Sequence, residues 1–143
     1  MGSLLSLFKQ NDQLDYQSNY QGLWKSNDYP SVNGTLALYL PFAVQDTLSI
    51  KNFNGQCLIH YSETSSYKPG HNIKINLNGS IHHDIVRVPQ QVPHYRVSKM
   101  SMQSVDQQID YYVDNIDYRT NTINGHYISQ MPSDRGSFAI KQF

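Results

Sequence analysis

Apolar side chains recur at every second position in several stretches of this sequence, and this period constrains the fold more than any other feature. The pattern is clearest in three stretches: 36–40, 73–77 and 109–113. Successive side chains of a β-strand point to opposite faces, so a two-residue period indicates a strand with one buried face and one solvated face. The sequence therefore predicts half-buried strands along most of its length.

The composition argues against long helices. Glu63 is the only glutamate, and alanine occurs only at positions 37, 43 and 139. These two residue types are among the best helix formers, whereas the abundant Tyr, Ile, Val and Thr favour strands. The expected fold class is therefore all-β.

Four Asn-Gly dipeptides divide the alternating stretches, at positions 33–34, 54–55, 78–79 and 124–125. Asn and Gly both tolerate the positive φ of tight hairpin turns, so each pair predicts a hairpin. Together these patterns predict ten strands, near residues 20–26, 35–41, 46–53, 56–63, 72–78, 80–88, 94–103, 108–117, 122–130 and 137–142. The alternation in 80–88 changes face, which predicts a β-bulge or a strand buried on both sides.

A sheet of many short strands has exposed edges, and closure of the sheet removes them. We therefore expect an antiparallel hairpin meander closed as a small barrel, with a two-sheet sandwich or jelly roll as the alternative. Residues 16–143 are expected to form this single β-barrel domain. Residues 1–15 are expected to be a separate N-terminal acylation and apolar segment.

The N-terminal segment begins with Met1-Gly2-Ser3-Leu4-Leu5-Ser6, which matches the N-myristoylation pattern with Gly2 as the acceptor. One myristoyl chain gives only weak, reversible membrane binding, so stable anchoring needs a second contact. The apolar side chains that follow are the candidates for that peripheral membrane contact: Leu4, Leu5, Leu7 and Phe8. Alternatively, this segment folds back and plugs one end of the barrel.

Gly22-Leu23-Trp24, which is expected to open the first strand, resembles the Gly-x-Trp element of lipocalins and related calycin barrels. The resemblance implies an up-and-down barrel with a small apolar ligand inside, one end of which the tryptophan closes. It also implies a late arginine beside the tryptophan, for which Arg119 and Arg135 are the candidates. The side chains expected to line or fill the interior are Trp24, Leu36, Leu38, Ile59, Ile73, Ile75, Ile109, Tyr111 and Phe138.

Charge and reactive residues point away from several function classes. Eleven basic and eleven acidic side chains give no net charge, which argues against nucleic acid as a partner. Cys57 lies in a predicted strand, where we expect a buried and inert thiol. His60, His82 and His126 could converge on a metal only across strands, and their spacing does not predict a site. We therefore expect no catalytic residues, no cofactor and no metal.

The sequence thus favours a non-catalytic binding module that holds a small apolar ligand or a protein partner. The single cysteine and the lack of a visible signal peptide predict a cytoplasmic protein. A peripheral position on a membrane and a place in a virion are the further options. The alternative is a viral structural protein, associated with a capsid or an inner membrane and able to self-associate. A third interpretation is a small hydrolase that uses the histidines and Glu63.

Overall fold

Eight β-strands form a closed antiparallel barrel. The computed structural model describes residues 16–44, 49–86, 94–106, 108–130 and 133–142. The strands are β1 (Ser18–Ser26), β2 (Asn33–Leu40), β3 (Ile50–Tyr61), β4 (Asn72–Val86), β5 (His94–Ser104), β6 (Ile109–Asp117), β7 (Thr122–Gln130) and β8 (Ser133–Gln142). Each strand pairs with the next one along the chain, and β1 pairs with β8 to close the sheet. The predicted all-β meander and its closure are confirmed, and the sandwich and jelly-roll alternatives are wrong.

The Asn-Gly dipeptides do not form the predicted turns. Asn33 begins β2, and the other three dipeptides lie inside β3, β4 and β7. Two pairs of predicted strands are therefore parts of single long strands, which gives eight strands where the sequence predicted ten. Among the described glycines, only Gly70 in the loop between β3 and β4 has a positive φ, of 75°.

These strand glycines make room for aromatic rings. Trp24 pairs with Gly34, Phe53 with Gly79, and Phe138 with Gly125. A Cβ atom at Gly79 would lie 2.5 Å from Cζ of Phe53, and one at Gly125 would collide with the Phe138 ring. A glycine opposite an inward aromatic residue lets the ring lie across the neighbouring strand. The requirement at these positions is for space and not for a turn conformation.

One end of the barrel, which we call the filled end, is packed with apolar side chains. Phe42 and Val44, from the loop between β2 and β3, fold over this end. The Phe42 ring meets Phe53 edge-on at a centroid distance of 5.0 Å, and the Val44 amide donates a hydrogen bond to the Tyr20 hydroxyl. Below them lies a buried core of Leu38, Leu40, Cys57, Leu77, Ile81, Met100, Met102, Ile123 and Ile140. Within the described ranges, side chains of the strands and of the β2–β3 loop therefore pack this end.

Register shifts interrupt three of the strand pairs. They lie between Ile50 and Phe53 in β3, between His82 and His83 in β4, and between Val113 and Asn115 in β6. The shift at His82 confirms the bulge predicted for the irregular stretch 80–88. Bulges bend strands and increase their twist, which helps a sheet to curve into a barrel.

Candidate ligand-binding cavity

A cavity of about 810 Å³ occupies the other end of the barrel, which we call the open end. It opens between the β1–β2 loop (residues 27–32) and the β3–β4 loop (residues 62–71), which contribute Tyr29, Ser66 and Lys68 to its rim. A volume of this size is in the usual range for pockets that bind small molecules. Considering only the described residues, the barrel is thus filled at one end and hollow at the other.

Eight of the nine side chains predicted to face the interior line this cavity. Leu38 is the exception, because it lies deeper, in the filled end, and only 2% of its surface is exposed. The apolar wall of the cavity consists of Leu36, Ile59, Ile73, Ile75, Ile109 and Phe138. The alternation of the strands correctly placed these side chains inside, while ligand binding by them stays a prediction.

Aromatic rings surround the mouth of the cavity at steep angles to one another. The Trp24 ring lies 5.2 Å from that of Tyr61 at 88° and 6.1 Å from that of Tyr127 at 77°. The Tyr61 ring in turn lies 5.8 Å from that of Tyr67 at 69°. We call Trp24, Tyr61, Tyr67 and Tyr127 the aromatic cage. Its three tyrosines were not predicted from the sequence, although Tyr127 follows inward-facing Ile123 and Gly125 at the strand period.

A carboxylate lies beside the aromatic cage. Asp134 is held in place by two neutral donors, because the Ser26 hydroxyl donates to its Oδ1 at 2.6 Å and the Tyr127 hydroxyl to its Oδ2 at 2.9 Å. Burial, together with the hydrogen bond to Asp134 and its negative charge, raises the pKa of Tyr127. Asp134 was not predicted from the sequence because Asp134-Arg135-Gly136 has the composition of a turn, whereas in the structure these residues lie in β8.

Tyr111 marks the boundary between the cavity and the packed core. Its ring lines the cavity, 6.4 Å from the Tyr127 ring and 6.3 Å from the Phe138 ring. Behind it lies Cys57, which is 1% exposed, as expected for a thiol inside a strand. Burial raises the pKa of the Cys57 thiol and also that of the Tyr111 phenol. Both groups are therefore protonated at neutral pH.

The structure corrects two expectations drawn from the lipocalin resemblance. Trp24 does not open β1 but lies near its C-terminal end, at the mouth of the cavity. Its indole nitrogen is buried and has no hydrogen-bond partner among the described residues. Neither candidate arginine matches the expected role, because Arg119 follows β6 at the other end of the barrel and Arg135 lies on the exposed face of β8.

His60, His82 and His126 do not meet at one point. His60 on β3 bonds to Asn72, and His126 on β7 bonds to Asp114, with Nδ1 to oxygen distances of 2.8 and 2.9 Å. These two strands are not neighbours in the barrel, so the convergence considered for His60, His82 and His126 does not occur. Within the described ranges, no group of three or more His, Cys, Asp or Glu side chains is placed to hold a metal ion.

The predicted lipidation and membrane contacts fall outside the described residues. This applies to Gly2, Leu4, Leu5, Leu7 and Phe8, as it does to the proposed division between residues 15 and 16. In the part of the chain that the structure describes, no helix is long and apolar enough to cross a membrane. Acylation of Gly2 therefore stays a prediction.

Comparison with known proteins places the chain in no family. No family model, no curated protein and no solved structure matches it. The closed barrel of eight antiparallel strands agrees with a calycin-like architecture. The further resemblance to lipocalins depends on Gly22-Leu23-Trp24 alone.

Proposed function

We propose that this protein is a non-catalytic binding protein whose barrel holds a small, largely apolar ligand at its open end. The observation that carries the proposal is the cavity of about 810 Å³, whose wall is aliphatic and whose mouth is aromatic. Cavities of this kind bury most of the surface of a small ligand, and their few polar groups orient it.

The contrast between the two ends of the barrel supports this function. Protein interiors are close-packed, and voids much larger than a water molecule are few. The filled end follows this rule, with Leu40, Met100 and Ile140 at most 1% exposed. The open end does not follow this rule, because it contains the cavity of about 810 Å³. Burial of an apolar ligand there would remove aliphatic surface from water, at about 25 cal/mol per Å².

A neutral fluorescent probe tests the proposal, because Trp24 is the only tryptophan and lines the cavity. Titration with N-phenyl-1-naphthylamine is expected to give saturable probe emission and quenching of Trp24, with one site per chain. The matched control moves the tryptophan outside by combining Trp24→Phe with Leu23→Trp, since Leu23 is 67% exposed on the same strand. The control protein is expected to bind the probe without the shift in tryptophan emission wavelength that contact with the probe gives Trp24.

Folded protein that shows no saturable binding of a neutral probe would overturn the proposal. That result would favour the structural-protein alternative, for which light scattering after size exclusion would then report self-assembly. Myristoylation is a separate prediction, tested by intact mass after co-expression with an N-myristoyltransferase. The control is Gly2→Ala, which cannot be acylated and should have the mass of its own sequence. If the wild-type chain also gains no acyl mass, myristoylation is excluded.

A further inference from the structure

The charged groups around the cavity are not balanced. Among the described residues, its lining contains two carboxylates, Asp28 and Asp134, and one ammonium group, that of Lys68. The two donors that bond to Asp134, Ser26 and Tyr127, are neutral hydroxyl groups. Neither of the ion pairs found among the described residues involves Asp134. Its negative charge therefore faces a cavity without a bonded counter-ion from this part of the chain.

The aromatic cage, like Asp134, favours a positively charged ligand. The face of an aromatic ring is the negative pole of its quadrupole and attracts a cation within about 6 Å. The chain itself provides one example at this mouth, because Nζ of Lys68 lies 5.3 Å from the centroid of the Tyr67 ring. Tyr61 and Tyr127 also stay neutral, since burial, and to a smaller extent nearby Asp134, raises the pKa of both phenols.

From this arrangement we infer that the ligand is an organic cation, an amine or quaternary ammonium compound with an apolar body. Its charged head group lies between the aromatic cage and Asp134. Its body lies against the aliphatic wall formed by Leu36, Ile59, Ile73 and Ile75. This inference rests on the proposed function and adds the chemical class of the ligand.

The same groups disfavour a fatty acid. A carboxylate head group placed beside Asp134 would meet that carboxylate and the negative faces of the rings, and like charges close together repel. Among the charged groups in the described lining, only Lys68 at the rim would attract it. A neutral alcohol with the same tail would bury the same apolar surface without attraction or repulsion at its head. A series of ligands with straight tails of seven or eight carbons and different head groups therefore separates the contribution of the charge from that of the tail.

The test is displacement of N-phenyl-1-naphthylamine by octyltrimethylammonium, octanol and octanoate. Wild-type protein is expected to bind octyltrimethylammonium at least tenfold more tightly than octanol, and octanoate most weakly. Asp134→Asn is expected to weaken octyltrimethylammonium binding far more than octanol binding and so to remove most of this preference, because the amide keeps the shape of the side chain without its charge. Asp114→Asn is the matched control, since it removes the same charge from the outer face of β6, where Asp114 bonds to His126. It is expected to leave the series unchanged.

A second variant covers the case in which Asp134→Asn does not fold. Tyr67 is 41% exposed, so Tyr67→Leu is expected to fold and to weaken octyltrimethylammonium several-fold more than octanol. Equal binding of the three ligands, or tighter binding of octanoate, would overturn the inference while leaving the proposed function intact. Loss of binding by the probe and by all three ligands would instead overturn the proposed function.

Discussion

Replacement of a strand glycine by alanine tests whether the Asn-Gly dipeptides provide space or turns. Gly125 and Gly55 are both preceded by asparagine and both lie inside strands. At Gly125, an added Cβ would collide with the Tyr112 carbonyl oxygen and the Phe138 ring. At Gly55, its nearest neighbours would be the Tyr39 carbonyl oxygen at 3.0 Å and Cδ2 of Leu40 at 3.2 Å. The two substitutions thus make the same chemical change in unequal space.

The expected magnitudes follow from these distances. Alanine in a strand is more stable than glycine by roughly 0.5–1 kcal/mol, because glycine loses more backbone entropy on folding. Overpacking of a dense core costs about 1–3 kcal/mol. We expect the upper part of that range at Gly125, because the Tyr112 carbonyl belongs to the β6–β7 pairing. Gly125→Ala should therefore lower the free energy of unfolding by about 2 kcal/mol, and Gly55→Ala should leave it nearly unchanged.

Urea unfolding followed by far-ultraviolet circular dichroism measures both values. For a chain of this length, the loss at Gly125 corresponds to a fall in Tm of roughly 6–8 °C. If both glycines instead occupied left-handed turns, each alanine would cost about 1–2 kcal/mol. Equal destabilisation of the two variants would therefore refute the role assigned to the strand glycines.

Three further predictions concern the interior of the barrel. Ile73→Trp should fill part of the cavity and weaken probe binding at least tenfold, or about 1.4 kcal/mol. Leu23→Trp places the same ring on the outer face and should not weaken probe binding. Equal affinities of the two variants would contradict the assignment of the cavity. The Cys57 thiol should react with a thiol reagent only after unfolding, because it is 1% exposed and burial raises its pKa; rapid reaction of the folded protein would contradict this packing. Burial also raises the pKa of Tyr111 and of Tyr127 above the value of about 10 in an unfolded chain. The stability that these neutral phenols contribute is then fully present below pH about 10 and falls as the pH rises above that value. A urea midpoint that stays constant through this alkaline range would contradict the burial of Tyr111 and Tyr127.

Local patterns predicted the strands well because a two-residue period reports directly on burial. The alternation at 73–77 and 109–113 placed Ile73, Ile75, Ile109 and Tyr111 correctly inside the barrel. The Asn-Gly prediction failed because the same dipeptide suits two conformations. A glycine opposite an aromatic ring on another strand is needed for space, and that partner is not visible in the local sequence. Gly125 and Phe138, for example, become neighbours only through the β7–β8 pairing.

The candidate site was predictable only in its aliphatic part. Strand alternation identifies a side chain as internal but does not distinguish a filled end from a hollow one, and Leu38 was therefore grouped with Leu36. Asp134 was missed because an aspartate beside arginine and glycine is more typical of a turn than of a strand interior. Its position at the aromatic cage depends on the pairing of β8 with β1 and β7.

The pairing of β1 with β8 has a consequence for how this chain reaches its native state. Trp24 and Phe138 face each other across a seam between the first and last strands, so the final ladder joins the two ends of the sequence. Contacts between residues so distant along the chain form slowly. Until the seam closes, the first and last strands both present unpaired amide and carbonyl groups, which are templates for pairing with another chain. Folding intermediates of this protein are therefore expected to aggregate more readily than the native barrel. Refolding should succeed after rapid dilution to a low protein concentration.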